Sequence, residues 1–199
     1  MVEPKIIILP VAGGVAVAAA VAAVMYRVRR RRRLAAMPLP EHLRRIVVEN
    51  VGIYRHLPSE LRVRLEGLTN VFLAEKNFEG CGGQTVDDEI RVTVAALAGV
   101  LLLHAPGREC YPSLRQVLIY PGSYVVTGPR RIGTQVIDEG EEVLDGSSYE
   151  SGTMILGWAQ VRDEGRSYGG GANVVWHECA HFLDYESGIS EGVPALPRV

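Results

Sequence analysis

The sequence predicts an α+β domain in residues 34–199, preceded by one transmembrane helix within residues 1–33. Three observations lead to this prediction. Segments with helical periodicity and short β-branched segments are interspersed along the chain without a regular βαβ repeat. A chain of 199 residues, 47% of them hydrophobic, is long enough to bury one sizeable core. An uncharged apolar run near the N-terminus is followed directly by a cluster of arginines.

The N-terminal prediction rests on twenty-one uncharged residues between Lys5 and Arg27. At about 1.5 Å per residue such a helix spans about 31 Å, close to the hydrocarbon thickness of a bilayer. Arginines at positions 27 and 29–33 follow the run, and positive charge stays on the cytoplasmic side. We therefore expect a single-pass protein of a bacterial inner (cytoplasmic) membrane, with its N-terminus outside and residues 34–199 in the cytoplasm. A cleaved signal peptide, the alternative, would have a shorter apolar run with its charges in front.

The first half of the domain is predicted to be mainly helical. Apolar residues recur at helical spacing in residues 41–54, and Pro58 lies near the first turn of a second helix that runs to Leu68. Val71–Ala74 is predicted as a short strand before a glycine-rich loop over residues 75–83.

The second half mixes helix and strand. Three acids beginning at Asp87 favour the start of a helix whose apolar residues 92–103 are too few to cross a membrane and are expected to be buried. Gln116–Val126 is predicted as a strand interrupted by Pro121 and Gly122, and Met154–Val161 as another strand. Asn173 is a suitable N-cap for a final helix.

Charge and cysteine content restrict the class of protein. The net charge is −2, but residues 1–33 hold six arginines and one lysine against one glutamate, which is +6 and leaves −8 for the remainder. An acidic body argues against direct binding of nucleic acid, which requires clustered positive charge. The three cysteines have irregular spacing, which predicts buried thiols in a reducing compartment rather than disulfides or a CxxC metal site: Cys81, Cys110 and Cys179.

The most informative motif is His177-Glu178-Cys179-Ala180-His181, an H-E-x-x-H sequence. Residues four apart lie on the same face of a helix, so both imidazoles can bind one Zn²⁺ ion. Glu178 follows the first histidine and is placed to act as general base toward water at the metal. Two ordinary helical histidines are the alternative interpretation. The other three histidines lack metal spacing and are expected to be structural or exposed: His42, His56 and His104.

Candidates for further metal contacts follow the motif. Asp184 shares the histidine face, and we expect it to orient a ligand histidine, with direct ligation as the less favoured role. Glu186 lies off that face, and Glu191 requires the chain to turn back after Gly188. We expect the third protein ligand to lie beyond residue 199, in a C-terminal part that this chain lacks.

Several blocks of the sequence, in order, resemble the Mlc titration factor A family of zincin-type zinc-dependent peptidases. They are FLAEKNFEGCGG (72–83), VLIYPGSYVV (117–126), GSSYESGTMILGWAQV (146–161) and NVVWHECAHFLDYESG (173–188). The resemblance implies a zincin-like domain with an active-site helix beside a small mixed sheet. It also implies that His177 and His181 are zinc ligands, Glu178 the catalytic base and Asp184 the aspartate that follows the motif.

The resemblance further implies the function. We expect a zinc metallopeptidase with aminopeptidase-like action on peptide substrates, and a regulatory role through binding a sugar-responsive transcriptional repressor. The family's third ligand is a glutamate on a later helix, for which this chain offers no equivalent. The alternatives are therefore a catalytically inactive binding or regulatory module, and a truncated fragment that lacks the third zinc ligand.

Overall fold

The computed structural model describes residues 5–105, 107, 109–122, 130–132, 135–137, 151–169 and 172–187. In these residues helices predominate over strands. The helices are α1 (Lys5–Ala36), α2 (Glu41–Asn50), a short 3₁₀ helix (Gly52–His56), α3 (Ser59–Glu75), α4 (Asp88–Val100), α5 (Trp158–Arg166) and α6 (Val174–Ser187). The strands are β1 (Asn77–Gly80), β2 (Gln116–Tyr120), β3 (Arg130–Ile132), β4 (Gln135–Ile137) and β5 (Thr153–Gly157).

Helix α4 is the centre of the helical layer. Asp87 caps its N-terminus by accepting a hydrogen bond from the Ile90 amide at 3.0 Å, and residues 92–99 are all buried. Helices α2, α3, α5 and α6 pack around it. The prediction of a buried helix that begins with the acids at 87–89 is therefore confirmed.

A buried asparagine joins three of these helices. Asn50, 1% exposed at the end of α2, donates to Glu89 and to Thr93 of α4, at 3.0 Å in each case. Its side-chain oxygen accepts a hydrogen bond from Arg166 Nε of α5 at 2.9 Å. The amide of Asn50 therefore has partners on α4 and α5, as a buried polar group requires.

The larger of the two sheets in the described residues has three strands, which are parallel. Its order is β1-β2-β5, and Phe78 pairs with Val117, which pairs with Met154. Because β1 and β2 are parallel, the chain must cross over between them, and α4 is part of that connection. β3 and β4 form a separate antiparallel pair. The mixed sheet expected beside the active-site helix is thus corrected: its three strands all run in the same direction.

The prediction of a transmembrane helix, and with it the single-pass location in the inner membrane, is wrong. Among the residues described here, no helix combines the length and apolar character needed to span a bilayer. The last third of α1 carries the arginine cluster, and Arg31 forms ion pairs with Glu75 at 2.6 Å and with Glu109 at 2.8 Å. This end of α1 packs against α3, where the Ala35 carbonyl directly covers Gly67. The fold-class prediction is corrected to a mostly helical structure with a small parallel sheet.

The segment after α1 is also fixed to α3, through the buried carboxylate of Glu66. Glu66 accepts hydrogen bonds from the Leu39 amide at 3.3 Å, from Arg44 Nε at 3.0 Å and from the Tyr54 hydroxyl at 2.6 Å. Burial and the hydrogen bond to Glu66 raise the pKa of Tyr54 to about 12. Helix α1 runs across position 33, and the division of the chain there into two domains stays a prediction.

Three other elements differ from their predicted limits. Val71–Ala74 belongs to α3, and the strand begins only at Asn77. β5 ends at Gly157, so the second half of the predicted Met154–Val161 strand is helical. β2 ends at Tyr120, immediately before the predicted break at Pro121, and Val126 lies outside the described residues.

Candidate metal centre

Helix α6 carries the whole H-E-x-x-H motif, and its N-terminus is capped as predicted. The Asn173 side chain accepts a hydrogen bond from the Trp176 amide at 3.1 Å, and the Asn173 carbonyl accepts from the His177 amide at 3.0 Å. A second acceptor comes from α5, because Glu164 Oε2 lies 2.5 Å from the Val174 amide nitrogen. The first turn of the motif helix is therefore held from two sides.

One face of α6 is core. Val175, Cys179 and Phe182 are 0% exposed, and they recur at the spacing of one helical face. The Trp176 indole donates to the Leu97 carbonyl of α4 at 3.0 Å. Burial raises the pKa of the Cys179 thiol, which keeps it protonated. Cys179 is therefore a packing residue, as the sequence predicts.

The opposite face holds the two histidines. The Nε2 atoms of His177 and His181 lie 3.1 Å apart, and their rings meet edge to face with centroids at 4.6 Å. Two nitrogens bound to one tetrahedral zinc ion at about 2.05 Å are separated by about 3.3 Å. The imidazole pair therefore fits a zinc ion without rearrangement of the helix.

The two acidic candidates lie on the same helix. Glu178 is 8% exposed, at the boundary between the buried face and the histidine face. Asp184 is half-buried two turns beyond His177. This placement agrees with the positions that the proposed roles require, and the roles themselves stay predictions.

A third metal ligand is not found among the described residues, which contain no group of three His, Cys, Asp or Glu side chains able to hold an ion. Glu186 is engaged elsewhere: its Oε1 accepts hydrogen bonds from the Ser113 amide at 3.0 Å and from the Ser113 hydroxyl at 2.5 Å. Glu191 lies outside the described residues. The described residues therefore provide a pair of histidines, and a catalytic zinc site requires three protein ligands.

Comparison with known proteins decides the family. The sequence model of the family described as glucose-regulated metallo-peptidase M90 matches residues 25–199 of this chain. The chain belongs to this M90 metallopeptidase family. A metallopeptidase requires a metal ion, and α6 carries the pair of imidazoles that fits one.

Individual relatives agree with this assignment and are all bacterial. An uncharacterized protein of Synechocystis sp. is 34% identical over 170 residues, 85% of this chain and 62% of the relative. A protein named Mlc titration factor A from Escherichia fergusonii is 29% identical over 148 residues, 74% of this chain and 55% of the relative. One of the same name from Serratia proteamaculans is 29% identical over 135 residues, 67% of this chain and 50% of the relative. The family resemblance inferred from the sequence is confirmed, and the chain spans about half to three fifths of the length of these relatives.

Helix α6 is also held at its C-terminal end, by a turn that the sequence did not predict. Tyr111 has a positive φ of 46°, and its carbonyl and that of Leu114 accept hydrogen bonds from Lys76 Nζ at 2.6 and 2.8 Å. Burial lowers the pKa of Lys76. Ser113 lies within this turn, so the contact with Glu186 fixes the end of α6 to a braced loop.

The remaining histidines lie outside the motif, and the cysteines are free thiols, as predicted. His42, His56 and His104 are exposed, and His56 stacks on Tyr168 with ring centroids 3.9 Å apart. The three cysteines are free, and Cys110 and Cys179 are buried. The Cys110 thiol has its pKa raised to about 12 by burial. None of these side chains was predicted to bind the metal.

Proposed function

We propose that this chain carries the active-site helix of a zinc peptidase, with His177 and His181 as two of the zinc ligands. The observation that supports the proposal is the 3.1 Å separation of the two Nε2 atoms on α6. Membership of a metallopeptidase family supports the same conclusion from an independent direction. Zinc is favoured over other divalent ions because an imidazole pair on a helix suits its tetrahedral coordination.

The two histidines, Glu178 and Asp184 have separate roles in the proposed peptide hydrolysis. His177 and His181 would hold the zinc ion, which would act as a Lewis acid that lowers the pKa of water and polarises the scissile carbonyl. Glu178 accepts the proton of the attacking water and then delivers it to the leaving amine. Asp184 orients an imidazole of the pair and keeps its coordinating nitrogen free of a proton. The third ligand comes from outside the described residues.

Within this class we propose an aminopeptidase-like action, which the family resemblance implies. Aminoacyl substrates with a free amino group should then be hydrolysed faster than the same substrates with a blocked amino group. Equal rates on the two substrates would indicate an endopeptidase instead.

Two substitutions test the mechanism. His181→Ala should lose zinc and hydrolysis together, because one ligand of the ion is removed. Glu178→Gln should retain zinc but lose about 100- to 10,000-fold in kcat, the range expected for a missing general base. Metal analysis and peptide hydrolysis are measured on the same preparations. Hydrolysis that survives Glu178→Gln would refute the assigned base.

A regulatory function is the second candidate, and a relative's name supports it. A protein named Mlc titration factor A from Escherichia fergusonii aligns with 74% of this chain. We propose that this chain binds a transcriptional repressor of the Mlc type. If binding is separate from catalysis, Glu178→Gln should capture the purified repressor as well as the unaltered chain does. Failure of both proteins to capture it would exclude this function.

A further inference from the structure

The start of α6 depends on a carboxylate from a neighbouring helix. Glu164, on α5, accepts a hydrogen bond from the Val174 amide at 2.5 Å through Oε2. Its other oxygen accepts one from Gln160 Nε2 at 2.9 Å. The first turn of α6 contains no acidic residue of its own. The negative charge that stabilises a helix N-terminus is therefore supplied by α5.

This contact lies one helical turn from the first metal-binding candidate. The first amides of a helix have no partner within the helix, so the first turn opens easily unless other groups accept from them. Glu164 satisfies Val174, and Asn173 satisfies Trp176. If this turn opens, the hydrogen bond from the His177 amide to the Asn173 carbonyl is lost with it. The imidazole of His177 then has no fixed relation to that of His181.

The acceptor is itself held in place. Arg166, two residues after Glu164, donates from Nε to the buried Asn50 at 2.9 Å. A side chain at Gly165 would lie 2.8 Å from the Asn50 carbonyl oxygen, so α5 and α2 are in close contact. These contacts fix α5 to α2, and α5 also packs on α4. Glu164 therefore keeps its position when the first turn of α6 opens.

We propose that Glu164 is a positioning residue for the metal site: it keeps the first turn of α6 closed and so holds His177 opposite His181. The inference rests on the proposed metal-binding role of the two histidines. Glu164 touches neither the metal nor the substrate in this account. It acts only through the backbone amide of Val174.

The test compares three variants of the full chain. Glu164→Ala removes the acceptor, and Glu164→Gln keeps an acceptor oxygen but removes the charge. Glu79→Gln is the matched control, because it neutralises an exposed glutamate on β1 whose side chain accepts a hydrogen bond from Gln116 and lies far along the chain from α6. Zinc affinity is measured by competition with a chromophoric chelator, after far-UV circular dichroism has shown that each variant is folded. Amide hydrogen exchange of residues 174–177 is measured on the metal-free proteins.

We expect Glu164→Ala to weaken zinc binding by up to about five- to tenfold, the limit set by losing a helix cap and a favourable terminal charge. Glu164→Gln should lie between Glu164→Ala and the unaltered chain, and Glu79→Gln should match the unaltered chain. Exchange of the amides at 174–177 should accelerate most in Glu164→Ala, less in Glu164→Gln and not in Glu79→Gln, while the rest of α6 exchanges as before. A general loss of structure would instead accelerate exchange throughout the helix.

Failure of the inference differs from failure of the proposed function. Unchanged zinc affinity and unchanged exchange in Glu164→Ala would overturn the positioning role while leaving the zinc site intact. If the unaltered chain itself binds no zinc through the histidines, the proposed function fails. The exchange measurement then still decides whether Glu164 closes the first turn.

Discussion

The contact between α1 and α3 can be tested by adding one methyl group to a buried glycine. Gly67 on α3 faces the backbone of α1, whereas Gly99 on α4 faces a side chain of α3. A methyl group at Gly67 would meet the backbone of Ala35, with its carbonyl carbon at 2.9 Å and its Cα at 3.1 Å. A methyl group at Gly99 would meet the end of the Leu65 side chain at 2.8 Å. Backbone atoms of a packed helix cannot rotate away, whereas a leucine terminus can.

The magnitudes follow from these neighbours. Alanine is favoured over glycine inside a helix by about 1 kcal/mol in the free energy of folding. Overpacking costs about 1–3 kcal/mol, and Gly67→Ala should incur the upper end because α1 must shift. The shift would also strain the ion pair of Arg31 with Glu75. We expect Gly67→Ala to lower the free energy of unfolding by about 2 kcal/mol, and Gly99→Ala to change it by less than about 0.5 kcal/mol.

Urea unfolding followed by far-UV circular dichroism measures both values. The comparison requires that the free energy of unfolding depends on urea concentration with the same slope in the variants and the unaltered chain. The two variants control for each other, since each adds one methyl group to a buried helical position. Equal urea midpoints of unfolding for Gly67→Ala and Gly99→Ala would refute the close packing of α1 on α3. A Gly99→Ala variant less stable than Gly67→Ala would refute it more strongly.

Three further substitutions probe the polar contacts of the fold. The pKa of Tyr54 is raised by folding from 10 to about 12, so the stability it contributes is complete below pH 10 and is lost as the pH rises through 12. Tyr54→Phe should therefore be less stable than the unaltered chain at pH 8. Urea titrations should show the difference in unfolding free energy between the two proteins shrinking above pH 10, and a difference that stays constant with pH would contradict this. Asn50→Ala leaves three partners without their hydrogen bonds and should cost about 2–3 kcal/mol in unfolding free energy, whereas a loss below about 0.5 kcal/mol would refute its bridging role. Asp87→Ala removes the cap on the Ile90 amide and should cost about 1 kcal/mol by the same assay. Asp88→Ala is the control, because it removes a charge from the same turn but leaves the cap hydrogen bond of Asp87 in place.

The parts of the fold that were predicted correctly depend on local signals. Asp87 and Asn173 mark helix starts because a short side-chain acceptor followed by apolar residues specifies an N-terminus within a few positions. The placement of His177 and His181 on one face is predictable for the same reason, since spacing along one helix fixes which side chains share a face, while their metal-binding role stays a prediction. No tertiary information is needed for either.

The errors arose where long-range packing decides. Val71–Ala74 is apolar enough for a strand, but it continues α3 and packs on the core. β1, with the sequence NFEG, has little strand preference of its own and exists because it pairs with β2. The roles of Glu164 and Lys76 depend on backbone groups ten or more residues away, which no spacing rule reveals.

The predicted membrane span failed for a related physical reason. Positive charge that follows an apolar run is interpreted as a topology signal, but the same arginines can instead form ion pairs with acids elsewhere in the chain. In the structure Arg31 instead pairs with acids of the folded domain, and the following residues of α1 pack on α3. One arginine of the cluster therefore contributes to the packing of α1 on the rest of the structure.

The central claim is that His177 and His181 form one zinc site on α6. Its most direct test is equilibrium zinc titration of the full chain, in parallel with a variant that carries His177→Ala and His181→Ala. The account predicts a zinc site in the unaltered chain that the double variant lacks, while both proteins retain the same far-UV spectrum. Identical zinc isotherms for the two proteins would contradict it.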